Sequence, residues 1–488
     1  MVSEVLKVCV SKGYLLDKEI LNFFEKIGIN ETNEILEKLT SIGVSGKILN
    51  KKVLEDNKIH FSKYFSLGES KNKDNFIEVK NFNLKNKKLE FNDFLLNFNS
   101  RYNLIKEILE KKDIDNLCSI RRVGNVNGSY NIIASVVEKR ITKNKNLLLE
   151  VEDNTGKIIV LINRENQSLF DLAKNLMLDD IVCFKTNGSI KMLFCNKIIF
   201  PDAFLEKEKI SKHDEYIAFS GDLHVGSKMF LENNFLKFID WLNGEVGDDR
   251  QRALAKKIKY LFLTGDNIDG VGVFPDQEDY LNIKSCRDQY RKFAQLIDKI
   301  RKDVSIIICP GQHDSVWIGE MQNIIPEKWA KELHMMENVY LVNNPGFVKI
   351  RDFNILMYYG ASINRFIDEM SEIRIKYAHN KPLLLVKEML KRRHLAPTHG
   401  LMDYVPRTED YLVIKEIPDI VVIGDQHRLD FDKYNNILLF ASSCWKTKTP
   451  FEEKVGSNPD PCKVPLFNLK TREIKVMDFS GEESEVLQ

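Results

Sequence analysis

Five short stretches, each closing an apolar run, restrict this chain more than any other feature. They are Tyr216-Ile-Ala-Phe-Ser-Gly-Asp222-Leu-His224, Tyr260-Leu-Phe-Leu-Thr-Gly-Asp266-Asn267, Ile306-Ile-Ile-Cys-Pro-Gly-Gln312-His313-Asp314, Ile355-Leu-Met-Tyr-Tyr359-Gly360 and Val421-Val-Ile-Gly424-Asp425-Gln426-His427. Short apolar runs followed by Gly and polar residues read as buried strands that end in tight turns. After Pro201 such runs alternate with helical stretches to the end, the pattern of a layered α/β domain. In an α/β sheet, functional groups gather at the carboxyl ends of the strands, so residues distant in sequence share one rim. Carboxylates and imidazoles collected there suit divalent metal ions. A carboxylate such as Asp266 can bridge two ions held ~3.5–4 Å apart, the spacing used for in-line attack on phosphorus.

One Asp-x-His segment alone is a weak signal, because such residues also cap turns. Five in this order are a strong one.

Upstream the pattern differs. From about Arg121 the chain reads as short strands: residues 131–142, 147–163 with a turn at Asp153-Asn-Thr-Gly156, 181–188 and 191–200. With one helical insert over Gln167–Leu176, these suit a small five-stranded OB-type barrel. Asp93–Lys111 reads as a helix. Residues 61–92, rich in Lys, Asn and Glu, read as a flexible linker. In the first 60 residues, Leu15–Ile27 and Thr32–Ile42 carry helical spacing, with Gly43 as a C-cap. The expected domains are a helical module (1–60), the linker, the barrel with its leading helix (93–205) and the α/β domain (212–488).

Length and composition fit several domains: 488 residues, 43% hydrophobic and 29% charged. Net charge is +1, from 72 Lys+Arg against 71 Asp+Glu, so any DNA contact must come from local patches or a partner. The candidates are Arg121 and Arg122 before the barrel, and Lys391, Arg392 and Arg393, which either neutralise phosphates or cover a helix end. The eight cysteines show no C-x-x-C pair, so neither a zinc ribbon nor a disulfide framework is indicated. No apolar run reaches the roughly eighteen residues a membrane helix needs, and no export signal is legible. The expectation is a cytoplasmic protein without membrane contact.

The order D-x-H, G-D, G-x-H-D, G-x-x-H resembles the calcineurin-like metallophosphoesterase superfamily. Longer segments resemble the small subunit of the archaeal D-family DNA polymerase. They are Gly265-Asp-Asn-Ile-Asp-Gly-Val-Gly272 with Phe274-Pro-Asp-Gln-Glu278, Lys391-Arg-Arg-His-Leu-Ala-Pro397, Glu409-Asp-Tyr-Leu-Val-Ile414, Ile417-Pro-Asp-Ile420, Ser442-Ser-Cys-Trp445, Thr447-Lys-Thr-Pro-Phe451, Asn458-Pro459 and Val464-Pro-Leu-Phe-Asn-Leu469. The resemblance runs from roughly Arg121 to Phe479. It implies an OB barrel followed by a phosphoesterase domain, a layered β-sandwich flanked by helices. It also implies a 3′–5′ exonuclease that proofreads for a large catalytic subunit, with two divalent ions, Mn²⁺ or Mg²⁺.

By that resemblance Asp222, His224 and His427 hold the first ion and Asp266 bridges both. His313 is the general acid for the leaving 3′ oxygen, and Asp314 orients its ring. Three positions depart from the family pattern. Gln312 replaces an Asn ligand, Tyr359 a His and Asp425 the first His of G-H-x-H, all on the second ion's side. The Gln312 amide can still reach a metal and the Asp425 carboxylate can replace imidazole, favouring harder ions such as Mn²⁺ or Mg²⁺, whereas a phenol is a poor ligand. The resemblance therefore implies a strong first site and a weakened second one.

His394 and His399 are candidates to replace the lost histidine, or core or surface residues. His60, His213, His334 and His379 look incidental. Trp317 and Phe274 suit base stacking or core packing equally. Three readings stay open: a proofreading nuclease subunit, a non-catalytic scaffold of the same fold, and a free-standing phosphoesterase. The barrel upstream argues against the third. No polymerase palm carboxylates or P-loop are recognisable, so DNA synthesis would belong to the partner.

Overall fold

In the computed structural model, residues 4–17, 20–21, 24, 29–41, 48–49, 76–82, 88–377, 380–449, 452–453, 457–481 and 485–487 are described. The chain divides into two compact units, Met1–Lys80 and Asn81–Gln488.

In the first unit, α1 (Glu4–Ser11) and α2 (Ile29–Ser41) enclose a core of Cys9, Tyr14, Phe24, Leu36 and Leu39. Two minimal strands, β1 (Leu15–Leu16) and β2 (Ile48–Leu49), pair in parallel, so the helix expected from Leu15 begins as a strand instead. The expected cap at Gly43 lies outside the described residues. So do residues 61–75 and 83–87 of the expected linker. Within that segment, Ile77–Lys80 forms a strand, β3, with Ile77 buried: four residues alternate, and polar neighbours hid them.

The second unit begins with α3 (Phe91–Glu110). The barrel follows: β4 (Gly128–Ile141), β5 (Leu147–Asp153), β6 (Gly156–Ile162), β7 (Ile181–Ser189) and β8 (Met192–Ile199), closed in the order β4-β5-β6-β8-β7. Closure removes exposed edges. Asp153 accepts hydrogen bonds from Thr155 and Gly156, which makes the tight hairpin turn legible in the sequence. A short helix, α4 (Gln167–Lys174), closes one end with Leu169, Phe170 and Ala173 buried in the barrel core.

Then come two facing sheets. The first runs β12 (Val339–Leu341), β11 (Ser305–Cys309), β10 (Ile258–Thr264), β9 (Tyr216–Ser220), β18 (Lys463–Asn468), β19 (Ile474–Asp478), β20 (Glu485–Leu487). The second contains β16 (Asp430–Tyr434), β17 (Ile437–Ala441), β15 (Ile420–Ile423), β14 (Phe353–Tyr358) and β13 (Gly346–Ile350), in that order. Strands β9, β10 and β11 are parallel and, apart from Lys259 near the start of β10, buried throughout, which is why they read as continuous apolar runs. Phe219 of β9 stacks on Phe440 of β17 at 4.5 Å between the sheets. On the outer faces, α5 (Glu232–Asn243), α6 (Asp249–Lys256), α7 (Cys286–Asp298) and α8 (Lys331–Met335) cover the first sheet. Helices α9 (Ile363–Glu369), α10 (Ser371–Tyr377) and α11 (Pro382–Arg392) cover the second.

The basic run at the end of α11 joins the barrel to the sandwich. Arg392 is 4% exposed; its guanidinium donates to Asp180 at 2.9 Å and to the Asn175 carbonyl at 2.7 Å. Arg393 is also 4% exposed and donates to the carbonyls of Ile414 and Lys415, with burial lowering its pKa to about 10. Lys391 lies over the Phe200 ring at 4.5 Å and pairs with Glu388. Of the two readings of this run, the phosphate contact is corrected for Arg392 and Arg393, whose guanidiniums are buried on protein partners, while Lys391 is partly exposed. A second buried clasp joins Arg101 of α3 to Asp410 at 2.8 Å, with His394 on the same carboxylate at 3.1 Å. His394 is thus a core histidine.

Candidate metal centre

Strand ends β9, β10, β11, β14 and β15 converge as their positions imply. The first two loops are zipped by backbone bonds, Asp222 N–H to the Gly265 carbonyl and His224 N–H to that of Asp266. Five of the expected ligands sit in the left-handed region: Asp222 (φ 49°), His224 (51°), Asp266 (42°), Asp425 (65°) and His427 (50°). This conformation costs an ordinary residue about 1–2 kcal/mol, and such strain clusters at functional sites. It turns short side chains inward from strand ends.

Ligand atoms of Asp222, His224 and His427 cluster together, and Asp266 Oδ2 stands beside His224. His224 Nε2 lies 3.4 Å from His427 Nε2 and 3.6 Å from Asp266 Oδ2, and His427 Nε2 lies 3.5 Å from Asp222 Oδ1. Two imidazole nitrogens and two carboxylates, nearly all their area buried, suit one borderline divalent ion. The outer ring nitrogens are held as ligating histidines require. His224 Nδ1 meets Asp269 Oδ1 at 3.0 Å, and His427 Nδ1 meets Glu452 Oε1 at 2.5 Å. Burial holds the His224 pKa well below its ordinary value, aided by the nearby Lys446 charge. His427 behaves oppositely. Burial and Lys446 lower its pKa, but Asp222 and Glu452 outweigh them and raise it to about 9. For Glu452, burial works upward and His427 pulls the pKa down to about 2. His224, Asp269 and His313 also cluster, but His224 Nδ1 is already committed to the Asp269 carboxylate.

The second ion's side is built differently. The Tyr359 hydroxyl donates to Asp266 Oδ2 at 2.5 Å, and His313 N–H donates to Asp266 Oδ1 at 2.9 Å. The Tyr359 ring fills the space between strand ends: a Cβ on Gly265 would lie 1.9 Å from it, and one on Gly311 2.9 Å. Burial, then the Asp266 charge, keeps that hydroxyl protonated far above its ordinary range. Asp425 Oδ2 accepts from Asn364 and Gln426, both at 2.7 Å. Its pKa is raised to about 7 by burial and by Asp222 and Asp266. Gln312 is half-buried next to His313. These residues fit the first ion and do not fit a second.

His313 stands at the rim. Its Nε2 is 3.8 Å from Asp266 Oδ2, and its Nδ1 contacts the Asp269 carbonyl at 2.7 Å. The expected orienting role of Asp314 is corrected. Asp314 accepts from the backbone of Gly311 and Asn267, from the Asn267 amide and from the Tyr290 hydroxyl, bracing the loop beneath His313. Phe274 and Trp317 are surface residues, 42% and 64% exposed, and the Phe274 ring centre lies 6.4 Å from that of His313. His399 is exposed against Tyr404. Arg121 and Arg122 are exposed on a short turn before the barrel.

Sequence reasoning gave no role to Asp269, Glu452 or Lys446. Glu452 had a readable signal. Thr449 and Glu452 form a capping box, with Thr449 N–H and hydroxyl on Oε2 at 2.6 and 2.7 Å, which frees Oε1 for His427. Asp269 lies in the quoted Gly265–Gly272 segment, but nothing local shows that it turns toward His224. Lys446 is 9% exposed and follows the buried Trp445, whose indole donates to Ser220.

Facing sheets with helices outside, and carboxylates and imidazoles at the strand ends, define a layered α/β protein with a candidate metal site on its strand-end rim. A family model for the B subunit of DNA polymerases alpha and epsilon matches residues 217–432. The chain belongs to the archaeal DNA polymerase II small subunit family. It is 33% identical to that subunit of Methanothermobacter thermautotrophicus over 80% of each chain. It is 32% identical to that of Archaeoglobus fulgidus over 98% of each. Matched solved structures include vacuolar protein sorting 29 from Cryptosporidium parvum, with 16% identity over 56% of this chain and 95% of that one and a TM-score of 0.28. At that score the likeness carries no weight. No described helix is long and apolar enough to cross a membrane.

Proposed function

We propose that this chain is the small subunit of a heterodimeric replicative DNA polymerase and carries a metal-dependent 3′–5′ exonuclease acting on single-stranded ends. The large partner subunit supplies polymerisation. The carrying observation is the convergence of Asp222, His224, Asp266 and His427, with His313 at the rim above them.

Asp222, His224, Asp266 and His427 would hold a divalent ion, Mn²⁺ or Mg²⁺, and its charge would polarise a phosphate oxygen and acidify the attacking water. The rest falls to the chain. Acting as the acid, His313 would keep Nδ1–H on the Asp269 carbonyl and carry the transferable proton on Nε2, 3.8 Å from Asp266 Oδ2. As water attacks phosphorus, losing a proton to solvent, the P–O3′ bond breaks and Nε2 gives its proton to the leaving 3′ oxygen, after which His313 regains a proton from solvent. The products are a nucleoside 5′-monophosphate and a shortened strand. Phe274, near His313 and partly exposed, offers a face for stacking the terminal base. The barrel, assigned to the OB type, with Arg121 and Arg122 exposed beside it, would guide the strand or dock the partner. The N-terminal module (1–60) would be a tethered accessory in the cytoplasmic complex.

In the test, 3′-labelled and 5′-labelled single strands are incubated with Mn²⁺. The wild type shortens strands from the 3′ end, and His313→Ala slows this about 10²–10⁴-fold. The Tyr359–Asp266 contact favours a second reading, a scaffold with a vestigial site. Intact strands, from protein that still binds the large subunit, would establish it.

A further inference from the structure

We infer that this site takes a single divalent ion, and that the Tyr359 hydroxyl occupies the position at Asp266 that a second ion would need. The inference rests on the metal-site reading above but not on nuclease activity.

Three observations carry it. First, a bridging carboxylate must offer an oxygen to each ion. Asp266 Oδ2 faces the first site and also accepts the Tyr359 hydroxyl, while Oδ1 is held by the His313 backbone and hemmed in by Gly311. Second, the Tyr359 ring cannot swing aside at low cost. It is 2% exposed, its backbone N–H is fixed by Asn344 Oδ1 at 2.9 Å, and Gly265 and Gly424 close against it. Third, the Asp425 carboxylate is turned onto two amides, Asn364 and Gln426. A neutral phenol donates a proton to a carboxylate where an ion would accept its lone pair. The hydrogen bond therefore satisfies Asp266 without a second positive charge, and the four ligands of the first ion stay aligned.

The test is Mn²⁺ titration of the full-length chain, read by calorimetry for stoichiometry and by electron paramagnetic resonance for coupling between ions. The wild type should bind one ion per chain and show an uncoupled manganese spectrum. Tyr359→His replaces the phenol by a smaller ligand and should admit a second, weaker ion with a spin-coupled spectrum. Tyr359→Phe keeps the ring in place and should stay at one ion, which separates a folding defect from the effect of size and chemistry. Two ions in the wild type, none in the wild type, or one ion in a folded Tyr359→His chain would each overturn the inference. Loss of nuclease activity with one ion still bound would sink the nuclease reading and leave this one standing.

Discussion

The two halves of the centre share a floor, Asp266, yet are held by opposite means. On the Asp222–His224–His427 side, ligand atoms 3.4–3.6 Å apart face each other, Asp222 accepts only the Asp425 backbone N–H from outside the cluster, and each imidazole is braced from behind by a carboxylate. On the Gln312–Tyr359–Asp425 side, protein donors already satisfy the carboxylates. Buried acids need partners: on the first side Asp222 and Glu452 lean on His427, whose pKa, against the pull of burial, they raise to about 9 and whose proton an ion would displace, whereas on the second side neutral donors serve. A fold can therefore keep the outline of a two-ion site while only half of it retains the electrostatics for a cation.

Matched substitutions sharpen that contrast. Asp222→Asn should abolish Mn²⁺ binding, whereas Asp425→Asn should leave the affinity for the first ion within a few-fold. Equal losses in calorimetry would break the comparison. Next in size, Glu452→Gln loosens His427 and should weaken the ion by about 10–100-fold, the usual cost of removing a group that braces a ligand. An unchanged affinity would show that Glu452 serves only its helix cap.

The smallest effect concerns the wall behind Tyr359. Glu320 is buried 3.5 Å from the Asn344 amide whose oxygen holds Tyr359, and burial raises its pKa from 4.5 to about 8. Because the folded value lies above the unfolded one, its stabilising contribution is complete below about pH 4.5. It is lost as pH rises through 8. Thermal melts in chelator from pH 5 to 9 should show Glu320→Gln gaining on the wild type by up to a few kcal/mol as pH rises. A pH-independent difference would mean that Glu320 does not change protonation in the fold.

Much of this centre was legible because parallel strands buried on both faces leave unbroken apolar runs and end in Gly and polar residues. The barrel's hairpin turn and the helix near 93–111 were readable for similarly local reasons. What escaped were pairings between distant residues. Arg392 and Asp180 are 212 positions apart, so a basic helix end looked like a DNA contact. Asp314 stands next to His313 in sequence, but its carboxyl turns down to Asn267 and Tyr290 while the Asp269 carbonyl takes the ring. Adjacency in a loop does not fix which way a side chain points.

The most direct test is a crystal of the chain grown with Mn²⁺ and measured by anomalous scattering. One strong peak among Asp222, His224, Asp266 and His427, with the Tyr359 hydroxyl still on Asp266, is the predicted result. Two peaks astride Asp266, or no peak at all, would contradict it.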